Sequence, residues 1–112
     1  MDQISYDEFA RVDIRVGRIV QAEEFPQARR AAYKLRIDFG SEIGIKNSSA
    51  QITRYYEPHD LVGKLVLGVV NFPRRQIATF FSDVLTLGVI LGEGDICLVH
   101  PDRDVPLGSR IL

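Results

Sequence analysis

A chain of 112 residues, 46% hydrophobic and 26% charged, has the make-up of a folded domain and excludes disordered, fibrous and low-complexity classes. Its formal charge of −1 argues against a strong, non-specific nucleic-acid binder and leaves a local cationic patch as the route to such a partner. The lone Cys97 excludes an internal disulfide, and neither a secretory leader nor an apolar run of about 20 residues is visible, so no membrane insertion and a reducing, cytoplasmic setting are expected.

Ser5 and Glu8 have the spacing of a capping box, which predicts a short helix from Tyr6 to about Arg11 with Phe9 turned inward. Val12, Ile14 and Val16 alternate with Asp13, Arg15 and Gly17 before Ile19 and Val20 break the period, as a strand with a bulge near Gly17 would. Tyr33, Leu35, Ile37 and Phe39 alternate with Lys34, Arg36 and Asp38, so a second strand buries the first set and holds Lys34 and Arg36 on its other face. Ile43 to Ile45 continues extended, and the polar run Lys46-Asn47-Ser48-Ser49 is assigned to a loop. Pro58 and Gly63 bracket a short helix. Leu65 to Val70 reads as a strand buried on both faces that Pro73 stops, which places Arg74 and Arg75 in solvent. Val84 to Leu91 and Ile96 to Val99 are two further strands around a tight turn at Gly92 to Asp95, with Cys97 as a small core residue. A loop from Pro101 to Pro106 leads into Leu107 to Ile111. Five or six short strands without a βαβ rhythm predict one mainly all-β domain over residues 1–112, a closed or partly closed antiparallel barrel with short helices, for which a five-stranded Greek-key OB-fold is the first choice.

No nucleophile with its base, metal cluster or paired carboxylate setting is visible, and His59 and His100 have no companion at ligand spacing. The expectation is a protein without catalytic activity, metal or cofactor. What the chain offers instead is a set suited to binding. Lys34, Arg36, Lys46, Arg74 and Arg75 supply cations; Asn47, Ser48, Ser49, Asn71 and Ser82 supply polar groups; Phe72, Phe80 and Phe81 supply apolar platforms. Each also has a plainer role: Phe72 in the core, the serines satisfying loop backbone, the arginine pair as a solvated turn. Charge is unevenly spread, with Arg29, Arg30, Lys34 and Arg36 in one acid-free stretch and Asp83, Glu93, Asp95, Asp102 and Asp104 in another.

Val12-Asp13-Ile14-Arg15-Val16-Gly17, Ser49-Ala50-Gln51-Ile52, Leu61-Val62-Gly63-Lys64, Val70-Asn71-Phe72-Pro73-Arg74 and Ser82 stand in an order that resembles the stand-alone tRNA-binding domain. That family is related to the C-terminal part of some methionyl-tRNA synthetases and to endothelial-monocyte-activating polypeptide. Phe25-Pro26, Tyr33-Lys34-Leu35, Ile37-Asp38-Phe39-Gly40, Gln76-Ile77-Ala78 and Pro101-Asp102-Arg103 are similar, more narrowly, to the CsaA branch of dimeric, export-related chaperones. The resemblance implies an OB-fold core with terminal extensions that build a homodimer, and a protein that binds tRNA or other structured RNA or captures unfolded preproteins for the export machinery. It carries an RNA surface onto Ser82 and Leu85, the latter where relatives have methionine, with Asn71, Arg74 and Arg75 beside them and Lys34, Arg36, Lys46 and Asn47 as neighbours. The polypeptide alternative rests on Phe72, Phe80 and Phe81, whose burial at about 25 cal/mol per Å² would hold an extended apolar segment.

Overall fold

Strands form where side chains alternate, and in the computed structural model, which describes residues 1–112, the alternating segments are β1 (Ile14–Glu24) and β2 (Tyr33–Asp38). The other strands are β3 (Ile45–Ala50), β4 (Leu65–Val69), β5 (Arg75–Ile77), β6 (Phe80–Ser82), β7 (Leu85–Thr86), β8 (Gly88–Leu91), β9 (Asp95–Leu98) and β10 (Arg110–Ile111). Two single-turn helices complete the chain, α1 (Tyr6–Ala10) and α2 (Pro58–Leu61). Neither is long and apolar enough to cross a membrane.

The main sheet runs β3-β2-β1-β4-β7, all antiparallel, with β10 added to β1. β1 is long enough to serve several neighbours: its first half pairs with β4 and β10, its second half with β2. The five-strand path curls into a nearly closed barrel, the OB-like arrangement expected of the sequence. Ile19, Leu35, Ile37, Leu61 and Val66 are completely sealed inside it, each side chain stabilising the fold by about 1.5–3 kcal/mol.

The bend in β1 falls later than expected. Register shifts between Ile19 and Gln21, leaving Val20 outside the ladder, while Gly17 pairs regularly with Val66. Gly17 is needed for another reason. A Cβ there would lie 2.5 Å from Cγ2 of Ile37 and 2.8 Å from the ring of Phe39, and one at Gly68 would lie 2.9 Å from the same ring. Phe39 is thus seated over two bare stretches of backbone on adjacent strands.

The barrel closes through a polar seam rather than a regular ladder, and this corrects the expected loop at Lys46 to Ser49. That segment is β3, and Ser48 is wholly buried. Asp83 N–H donates to the Asn47 carbonyl (2.8 Å), Asn47 N–H to Oδ2 of Asp83 (3.0 Å), and Ser49 N–H to Oγ of Ser82 (3.0 Å). Oγ of Ser48 donates to the Val84 carbonyl (3.2 Å) and lies 2.8 Å from Oγ1 of Thr86. Hydrogen-bonded polar side chains can be buried without loss, so no apolar period marks this strand.

Three further expectations are corrected. Val84 to Leu91 is two strands: β7 stays with β4, and β8 leaves at Leu87 to form a hairpin with β9. Cys97 is exposed, because alternation on β9 turns Leu98 inward instead. Of the β4 segment only Val66, Gly68 and Val69 are buried, while Leu65 and Leu67 lie half-exposed. The capping box of α1 forms as predicted: Ser5 Oγ accepts from Glu8 N–H (3.1 Å) and Glu8 from Ser5 N–H (3.0 Å). α1 buries no side chain fully, so polar clamps hold it. Asn71 accepts from Asp13 N–H (3.0 Å) and donates to the Arg11 carbonyl (2.7 Å), and Arg110 donates to the Ala10 carbonyl (2.7 Å).

Candidate nucleic-acid interface

β4 ends at Val69, and past Pro73, which cannot donate to a ladder, the chain turns into the β5–β6 hairpin. Across it Arg75 stands opposite Ser82, Gln76 opposite Phe81 and Ile77 opposite Phe80. The turn is only Ala78-Thr79. Ala78 takes φ +54°, in the left-handed region, and its carbonyl accepts from the Gln76 side chain (3.0 Å).

The hairpin divides two grooves that share Ser49, Arg75 and Ile77 as their common wall. One, of about 380 Å³, is mainly apolar: Phe72, Pro73, Val84 and Leu85 line it together with Ser82 and Asp83. The other, of about 690 Å³, is cationic and amide-rich, with Arg29, Arg30 and Arg75 beside Gln27, Gln51 and Gln76 and no carboxylate.

The proline-arginine corner and Ser82 therefore meet on one solvent-facing ledge, with Leu85 beside them. Phe72, for which a core position was the plainer reading, is half exposed there, because the chain has already left β4 at Asn71. Arg74 is exposed and its guanidinium lies 4.2 Å from the centroid of the Phe81 ring, a cation–π stack on a platform that itself faces solvent. Phe80 is half-buried and packs edge-on against Phe25, with centroids 5.4 Å apart.

Not every expected residue offers a free group. Lys34 lies over the rings of Phe25 and Phe80 (5.5 and 5.8 Å) and 3.3 Å from Oε1 of Glu23, so its ammonium is already engaged at the hairpin's base. Both ends of the Asn71 amide bind backbone, whereas Asn47 joins the closing seam through its backbone alone. Arg36 projects into solvent on β2 beside β3, where Lys46 is half-buried one register step away. In the sequence Arg29 and Arg30 stand out only as part of a charge asymmetry, Gln51 only within the Ser49–Ile52 motif, and Gln27 not at all. An acid-free run of arginines was the one signal available, because only folding brings that loop to the hairpin.

None of the perturbed titrating groups lines either groove. The hydrogen bond from Arg15 (2.6 Å), aided by the charges of Arg15 and Arg110, holds the Asp13 carboxyl below its ordinary range, against the opposing effect of burial. Burial raises Tyr33, whose hydroxyl donates to the Tyr56 carbonyl (2.7 Å), and also Tyr56, whose hydroxyl accepts from Leu98 N–H (3.0 Å). No group of three or more His, Cys, Asp or Glu side chains is placed to hold a metal.

Comparison with known proteins covers nearly the whole chain. Residues 14–110 match the family model described as "Putative tRNA binding domain". The chain is 34% identical over 111 residues to the methionine–tRNA ligase of Thermococcus kodakarensis, covering 99% of this chain but 14% of that one, so it corresponds to a small part of the curated relative. The crystal structure of the chaperone CsaA from Bacillus anthracis superposes with a TM-score of 0.94 at 44% identity, covering 99% of this chain and 100% of the other. The CsaA chaperone protein of Picrophilus torridus gives 0.91 at 49% identity, covering 98% and 100%. With the family model spanning nearly the whole barrel and both sides of the hairpin, the chain belongs to the tRNA-binding domain family.

Proposed function

We propose that the protein is a non-catalytic binder of structured RNA, with tRNA as the first candidate, gripping the phosphate backbone by shape and charge. The observation that carries this reading is the pairing of Arg75 with Ser82 across the hairpin, beside exposed Phe72 and Leu85 and next to the Arg74–Phe81 stack. Guanidinium forks on a short, proline-bounded hairpin suit phosphate oxygens, and the exposed rings suit bases. Arg36 and Asn47, opposite one another across β2 and β3, extend the cationic and polar surface, while Lys46 pairs with core-facing Ile37 on the other face, and Asn71 holds the corner in place. The test is a titration of labelled tRNA at several salt concentrations. Replacing Arg74 and Arg75 with Ala weakens binding and flattens the dependence of log affinity on log salt by about one per lost contact. An affinity unchanged in both respects rejects the assignment.

A second reading has its own support in the apolar groove, where Phe72, Pro73, Ile77 and Leu85 offer a solvent-facing strip, and in the structural likeness to proteins described as CsaA chaperones. In that reading the groove holds extended apolar polypeptide such as preproteins bound for export, with Phe80 and Phe81 at its margin. A homodimer is part of both readings, favoured by the exposed Ile4, Tyr6, Val89 and Ile90. Suppression of aggregation of a denatured client tests the polypeptide reading, and sedimentation equilibrium tests the dimer.

A further inference from the structure

We infer that the cationic groove between the Gln27–Ala32 segment and the β5–β6 hairpin is a channel for an unpaired segment of the bound RNA, with Arg29, Arg30 and Arg75 on its phosphates. This rests on the RNA-binding reading and adds to it which part of the RNA enters and which side chains receive it.

The groove has the shape for such a guest. At about 690 Å³ it lies inside the range of roughly 300–1,000 Å³ of clefts that take a drug-sized ligand, which is room for a short stretch of sugar-phosphate backbone. A rigid duplex lies across a surface and presents phosphates on its outside; a single strand can lower its backbone into a hollow of this size.

Charge selects the phosphate side. All three arginines are free of ion pairs, since the paired cations of the chain are Arg15, Lys34, Arg54, His59, Arg103 and Arg110. Each therefore presents an unspent guanidinium fork to the groove. The neighbouring apolar groove contains Asp83, which repels phosphate, so the two hollows are chemically sorted: backbone in one, bases in the other.

Continuity joins them. Arg75 and Ile77 line both grooves, so a strand whose phosphates lie along Arg29, Arg30 and Arg75 has its next base beside Ile77, Phe72 and Leu85. Gln27 and Gln51 add amides that can donate and accept at base edges without imposing one sequence. A cationic track flanked by apolar platforms is the physical form of single-strand binding on barrels.

The experiment uses the full chain and three labelled probes: tRNA, an oligouridylate of about six nucleotides, and a short blunt RNA duplex. The wild type binds the oligouridylate in preference to the duplex. Replacing Arg29 and Arg30 with Ala removes two single-strand contacts, which flattens the log–log salt slope by about 1.4 and weakens oligouridylate binding about tenfold near physiological salt. Arg103→Ala, an exposed arginine outside both grooves, leaves binding unchanged. Circular dichroism and melting confirm that the variants fold. Wild-type binding of tRNA with no binding of oligouridylate, or with a preference for duplex, overturns the channel and leaves the wider reading standing. So does an unchanged affinity and slope in the double variant. Absence of binding to all three probes overturns both.

Discussion

Ser48 is the best place to test how the barrel is held shut, because its hydroxyl is the only polar side chain sealed in the core and sits where β3 meets β7. In Ser48→Ala the Val84 carbonyl keeps only the longer bond from Ser82 (3.4 Å), and the Thr86 hydroxyl loses its 2.8 Å partner. Stranding buried polar groups in this way costs about 1–3 kcal/mol. For a domain of this size that lowers the melting temperature by several degrees, at about 4–8 °C per kcal/mol. Thr86→Val is milder, since Ser48 can still donate to the Val84 carbonyl. In the double variant Ser48→Ala/Thr86→Val the orphaned hydroxyl is gone, so the two costs should be less than additive, with a coupling of about 0.5–1.5 kcal/mol. Urea unfolding of the wild type and three variants measures the cycle. Strict additivity, or a Ser48→Ala cost below about 0.5 kcal/mol, would refute the idea that this seam closes the barrel.

Gly17→Ala places a methyl 2.5 Å from Ile37 and 2.8 Å from the Phe39 ring, so thermal unfolding should show a loss of about 1–3 kcal/mol or more. Asp13→Asn removes the charged partner of Arg15 and Arg110 and should cost about 1–2 kcal/mol at neutral pH, measured by urea unfolding. The pH dependence has a definite sign: Asp13 is depressed in the fold, so its contribution is complete above the unfolded carboxylate value of about 4 and is lost as pH falls toward its own lower value. Stability curves of the wild type and Asp13→Asn should therefore converge on acidification, and a constant gap down to strongly acid pH would count against the ion network.

How much of this was legible in the sequence depended on whether burial was achieved with apolar side chains. β2 was readable residue by residue, since Tyr33, Leu35, Ile37 and Phe39 all point into the core and every second position is polar. β3 was not, because its sealed positions are only Ser48 and Ala50 and, beyond its ladder with β2, it is held by hydrogen bonds to a segment more than thirty residues away. Cys97 failed for a smaller reason: the run Ile96-Cys97-Leu98-Val99 is apolar throughout, so its phase could not be read. In the site, the local features of the proline-arginine corner were visible, whereas the meeting of Arg29 and Arg30 with Arg75 is a product of tertiary folding.

The seam also separates two kinds of contribution to the proposed RNA binding that a loss of affinity alone would confuse. Ser82 lies in the apolar groove, yet its hydroxyl is already engaged inside the protein, accepting from Ser49 N–H (3.0 Å) and donating to the Val84 carbonyl (3.4 Å). Its part is to hold β6 against β3 and so fix the wall that Arg75 and Ser49 share. Ser82→Ala strands the Ser49 N–H at a cost of about 1–2 kcal/mol, so melting temperature and RNA affinity should fall together. Arg75 is exposed and unpaired, so Arg75→Ala should lower affinity and flatten the salt slope while stability stays within about 0.5 kcal/mol of the wild type. Parallel melts and tRNA titrations distinguish the two. If Ser82→Ala weakened binding with an unchanged melt, the hydroxyl would have to leave the seam to meet the RNA, and the ledge would be an adaptable surface rather than one set by barrel closure.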